Sequence, residues 1–162
     1  MSFWNIVKSL NYRKIFRVFV WFLQHPLFMF ATVKATFLTI RIAQIEFPDI
    51  HGKHNKANAF RHALWNLLIA NQSNKFSTNL EAVIAWTKKI TDWHEEFSPN
   101  MEMAKLMDLH NNAIGRQLYI DWQEQSLTTY IDLLKTALSK ATIVTHKSDF
   151  KNLKNNLIYL RK

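Results

Sequence analysis

Histidine, carboxylate, amide and guanidinium side chains crowd three short stretches of this chain, each set in apolar, helix-like sequence. They are Asn58-Ala-Phe-Arg61-His62-Ala-Leu-Trp65, Thr91-Asp92-Trp93-His94-Glu95-Glu96 and Asp108-Leu-His110-Asn111-Asn112-Ala-Ile-Gly115-Arg116. Imidazole and carboxylate groups together supply general acids, general bases and ligands for a divalent cation. His62, His94, Glu95 and Asp108 are therefore the candidate catalytic residues. His62, Asp92, His94, Glu95 and Asp108 are the candidate metal ligands, and their oxygen and imidazole donors suit Zn, Mn or Mg. Arg61 and Arg116 would hold an anionic group by paired hydrogen bonds. Asn58, Asn111 and Asn112 complete the substrate-binding set, the last two as donors to a developing oxyanion. The reaction that such a set supports is hydrolysis of a phosphoester or a lipid ester. His110 lies on a different side of its helix from Asp108, so the two are not expected to share an ion.

The opposing expectation uses the same residues. Polar groups inside a helical core are costly unless they satisfy one another. Arg61 paired with Asp108 or Glu95, and His62 with Asn112, would form a buried network that sets helix register. The domain would then be a non-catalytic module that binds a membrane or a protein.

Several reaction classes are excluded by composition and motif. Two glycines cannot build a phosphate-cradling loop, and the absence of cysteine removes thiolate nucleophiles and thiolate metal sites. His94-Glu95 continues as Glu-Phe-Ser, which is not a zinc-protease helix, and there is no serine-hydrolase elbow.

The blocks NAFRHALW (Asn58 to Trp65) and DLHNNAIGR (Asp108 to Arg116), with DWHEE between them, resemble the signature of a poorly characterised bacterial domain family. The similarity covers roughly residues 25–120, and family members occur in phage-related and toxin-like proteins and as stand-alone chains. The resemblance implies an all-helical domain and carries no established activity.

The elements that must position these groups follow from hydrophobic spacing. With few Gly and Pro and 48% hydrophobic residues, the 162-residue chain is expected to form one domain, a compact all-α bundle of about six helices. Helices are predicted over residues 12–24, 26–46, 57–71, 78–97, from Ser98 and Pro99 past 116, and over 127–140. Asn58, Arg61, His62 and Trp65 then share one helix face, and Asp108, Asn111, Asn112 and Gly115 share another. Thr78 and Glu81 read as a capping box, and Gly115 as a point of close approach by a helix or ligand. Residues 142–146 and 157–160 read as a short two-stranded ladder. His51 and His54, in the loop over 47–57, read as solvated side chains.

Charge divides the chain. Residues 1–56 hold eight Lys/Arg against two Asp/Glu, residues 57–124 six against eight, and residues 125–162 seven against two. Basic flanks on an acidic centre point to an anionic lipid or membrane surface as partner. Specific nucleic-acid binding is not expected, because the basic residues follow no reader motif. The uncharged run over residues 18–33 is short for a bilayer span and is broken at Gln24, His25 and Pro26. Two amphipathic helices are the expected form, with a cytoplasmic or peripheral-membrane location rather than a secreted one. Trp21, Phe22, Phe28 and Phe30 either pack the core, the favoured expectation, or touch lipid.

Overall fold

The computed structural model describes residues 12–48, 55–97, 101–153 and 155–160. His51, His54, Ser98 and Pro99 lie outside these residues. Helices α1 (Tyr12–Gln24), α2 (Pro26–Glu46), α3 (Lys56–Asn74), α4 (Leu80–Phe97), α5 (Glu102–Trp122) and α6 (Leu127–Ser139) are followed by β1 (Thr142–Val144), a 3-10 turn (Lys147–Asn152) and β2 (Ile158–Leu160). The all-α bundle with a short terminal ladder is thus the fold. The two strands run parallel, pairing Thr142 with Ile158 and Val144 with Leu160.

Helix α3 is the centre of the bundle. It packs against α2, α4, α5 and α6, and Phe60, Leu64, Leu67 and Leu68 are buried in the main core. Because it is enclosed on several sides, its polar residues are buried along with its apolar ones. It continues to Asn74, beyond the end predicted from the sequence. Asn55 caps its start, accepting from the Asn58 amide at 3.2 Å. A second small cluster, Met107, Val144 and Ile158, seats the strands on α5.

Two sequence expectations are corrected. Helix α4 begins with Asn79 as its cap rather than with a Thr78–Glu81 box: Asn79 Oδ1 accepts from the Ala82 amide at 3.0 Å. Asn79→Ala should therefore lower stability by about 1 kcal/mol, and Thr78→Ala should leave it almost unchanged. Thermal melting of the two variants checks this, and equal losses would refute the assignment. The second correction concerns the aromatic residues. Trp21 is buried, edge-on to Trp86 and Trp93, and Phe28 packs on Trp86, but Phe22 and Phe30 are exposed.

Helix α2 is long and apolar enough to cross a membrane. One face of it is occupied within the protein: Ala31, Ala35, Thr39 and Ala43 are buried, and α2 packs against α3.

Candidate functional site

The polar residues of α3 and α5 meet as rungs. Asn58 Nδ2 donates to Asp108 Oδ1 at 2.8 Å. His62 Nδ1 lies 3.1 Å from Asn112 Oδ1. Arg116 Nη1 donates to Asn66 Oδ1 at 3.0 Å. Each rung joins residues fifty apart, so the two helices run parallel in one constant register. The rungs recur every four residues because that spacing keeps a side chain on one helical face. Helix α4 closes the seam from the opposite direction, with Thr91 Oγ1 donating to Asn66 Oδ1 at 3.0 Å and Glu95 Oε1 lying 3.5 Å from His62 Nδ1.

Gly115 lets the helices approach this closely. A Cβ placed on it would stand 2.4 Å from the carbonyl oxygen and 2.7 Å from the Cα of Ala63 on α3. The close approach expected at this glycine is to a helix.

His62, Glu95 and Asp108 form the chemical centre. They are 4%, 1% and 2% exposed, and each offers a ligand atom within 4.8 Å of the others. Arg61 Nη2 is 3.3 Å from His62 Nε2. A guanidinium can only donate, so Nε2 carries the lone pair and the ring proton sits on Nδ1, facing Asn112 Oδ1. Asp108 Oδ1 lies 3.4 Å from the same Nε2. Two acceptors thus face one another beside the Arg61 guanidinium, which also bonds Asn58 Oδ1.

Burial, reinforced by the neighbouring Asp108 charge, pushes the Glu95 carboxyl up to about 8; Asn112, Arg61 and Lys105 oppose this. At neutral pH Glu95 is therefore largely protonated. Its Oε2 is buried without a hydrogen-bond partner. Burial lowers the pKa of Arg61, against the pull of Asp108 and Glu95. Arg116 is lowered in the same way, against Asp92. With Glu95 neutral, Asp108 and Asp92 balance the two guanidinium charges.

Not every candidate joins this centre. Of the five expected metal ligands, His62, Glu95 and Asp108 converge, and Asp92 and His94 fall outside the trio. Asp92 pairs with Lys88 and lies 4.0 Å from Arg116. The His94 ring stands edge-on to Trp65 at 5.2 Å, and burial followed by the Arg61 charge lowers its pKa to about 4, so it is neutral. His94 is turned about 100° around α4 from Glu95, whereas Asp92 keeps nearly the same face but lies one turn back along the helix, at the level of Arg116. Asn58, Arg61, Asn112 and Arg116 lie along the seam, but Asn111 does not. Its amide donates to the Ile158 carbonyl and accepts from the Ile158 amide, both at 2.9 Å. Both ends of this amide are occupied in clamping β2. His110 also faces this side, 2.9 Å from the Asn156 carbonyl, away from Asp108 as expected.

Sequence reasoning passes over two members of the network. Asn66 links Asn112, Arg116 and Thr91, and Thr91 also accepts from Arg116 at 3.2 Å. The available signal was spacing: Asn66 continues the face of Asn58 and His62, and Thr91 precedes Glu95 by four.

A family model described as a domain of unknown function, DUF6973, matches residues 19–142. Comparison with curated proteins and with solved structures found no match.

Proposed function

The chain belongs to DUF6973, a domain of unknown function, and from the chemistry of its own residues we propose a hydrolase-like domain acting on a phosphoester or lipid ester at an anionic or membrane surface. The observation that carries this reading is the buried trio of His62, Glu95 and Asp108, with the Glu95 Oε2 unpartnered. A carboxyl that keeps its proton at neutral pH is a suitable general acid for a leaving oxygen. His62 Nε2, held as an acceptor, is the matching base for water, and Asp108 beside it stabilises the imidazolium formed. Arg61 and Asn58 supply the positive charge and polar contacts for an anionic substrate group. Arg116 lies one rung further along and, with Asn66 and Thr91, acts as a positioning residue. The same trio could hold Zn, Mn or Mg, because a cation placed among its oxygens would compete with the Glu95 proton.

A second reading is favoured by a different observation. Both ends of the Asn58, Asn66 and Asn112 amides already have protein partners, as a network that only fixes register requires. One experiment separates the two. Purified protein is assayed for bound metal and against phosphomonoester, phosphodiester and phospholipid substrates, with EDTA or added Zn, Mn or Mg. The hydrolase reading expects turnover that falls at least about 100-fold in His62→Gln, a variant that keeps a polar side chain in place and melts within a few degrees of the parent. No turnover and no stoichiometric metal, with His62→Gln and Asp108→Ala only losing stability, would leave the network reading standing.

A further inference from the structure

Large apolar side chains on α1 and α2 point away from the protein. Phe16, Phe19 and Leu23 on α1 and Leu27, Phe30 and Phe37 on α2 are all exposed, Phe30 by 64% and Phe37 by 67%. Among the described residues, only Phe76, Met101, Leu127 and Ile143 are large exposed hydrophobics outside these two helices. On α2 the inward face is made largely of small residues, Ala31, Ala35 and Ala43 beside Met29 and Ile42, while the large Phe30 and Phe37 face out. An apolar face spread over two consecutive helices is far larger than scattered surface hydrophobics require.

Charge identifies what covers it. Residues 12–46 carry five Lys/Arg and one acid, Glu46, which pairs with Lys135. At 100° per residue, Lys34 and Arg41 fall on the same arc of α2 as Leu27, Phe30 and Phe37, and both are exposed. Long basic side chains rising from an aromatic face can reach lipid phosphates while their stems and the rings enter the acyl boundary. A symmetric pairing of two copies through this face would set Lys34 and Arg41 against their own likeness, which opposes dimerisation.

We propose that the outer face of α1 and α2, centred on Phe19, Phe30 and Phe37 with Lys34 and Arg41, docks the protein in the interface of an anionic bilayer. The inference gives a location to the surface invoked in the proposed function, and binding alone reads it out, so loss of turnover and loss of docking are separate results. The full chain is sedimented with vesicles of phosphatidylcholine, alone or with about a third phosphatidylserine. Retention is expected on the anionic vesicles and to fall as salt rises. Lys34→Glu with Arg41→Glu, and separately Phe30→Asp with Phe37→Asp, should each weaken it at least about tenfold. Unchanged melting is expected for both pairs, because these side chains are exposed. His62→Gln should bind like the parent. No retention, equal retention on neutral vesicles, or a dimer that the Phe30→Asp, Phe37→Asp pair dissociates would each overturn the proposal.

Discussion

Gly115→Ala should lower the melting temperature by on the order of 10 °C, although alanine is the better helix former by about 1 kcal/mol. The added methyl would stand 2.4 Å from the Ala63 carbonyl oxygen, 2.7 Å from its Cα and 2.9 Å from its carbonyl carbon. All three are backbone atoms of the central helix, so no side-chain rotation can relieve the contact. α3 and α5 must separate or slide, and that breaks the three polar rungs that depend on their register. Overpacking ordinarily costs about 1–3 kcal/mol, and a loss near the top of that range is expected once bonds among buried polar groups lengthen as well. Gly115→Val should be worse and yield little folded protein. Differential scanning calorimetry of Gly115→Ala decides the matter; a melting temperature at or above that of the parent would show that the helices tolerate the methyl and that the crossing is not held by this glycine.

The second large effect is a pH dependence of stability that one residue carries. Glu95 holds its proton to about 8 in the folded chain, against an ordinary value of 4.5. Between those limits the unfolded chain has released a proton that the folded chain keeps. Stability from this residue is therefore whole below about pH 4.5, declines as pH rises, and is spent above about 8. His94 acts in the other direction over a lower window. Its folded value of about 4 lies below the ordinary 6.5, so its contribution is lost as pH falls through that range. Above pH 6.5 the contribution of His94 is nearly complete, and at about 1.4 kcal/mol per pH unit Glu95 should cost the parent roughly 2 kcal/mol between pH 6.5 and 8. Glu95→Gln keeps the shape and the hydrogen-bonding ability of the neutral acid but cannot ionise. Its melting temperature should be nearly flat from pH 6.5 to 8, while that of the parent falls by several degrees. Parallel slopes in the two proteins would mean that Glu95 is already ionised in the folded state, and the general-acid role proposed for it would go with that result.

Helix positions were legible because apolar spacing, Pro26 and the basic and polar boundaries mark them. The ladder was legible because a β-branched segment, Thr142–Val144, and an apolar one over residues 157–160 flank a polar stretch, although its parallel direction was not, since that depends on the path of the connection between them. The pairing of His62 with Asn112 is one arrangement among several that the sequence allows, and spacing alone does not select it.

Sequence by itself determined which side chains share a face: Asn58, Arg61 and His62 on α3, Asp108, Asn112 and Gly115 on α5. Helical periodicity fixes the angle of each residue about its own axis. It carries no information on how far one helix is shifted or rotated against the next, and only the tertiary structure decided that. The fifty-residue register of α3 and α5 brought Asn66 into the network, and the antiparallel placement of α4 brought Thr91. The placement of α4 also left Asp92 and His94 beside the trio, and the docking of β2 on α5 took Asn111. Apolar composition had the same limit. It made Phe22 and Phe30 members of an apolar helix without revealing whether protein lies on that side, because hydrophobicity measures avoidance of water and not the identity of what replaces it.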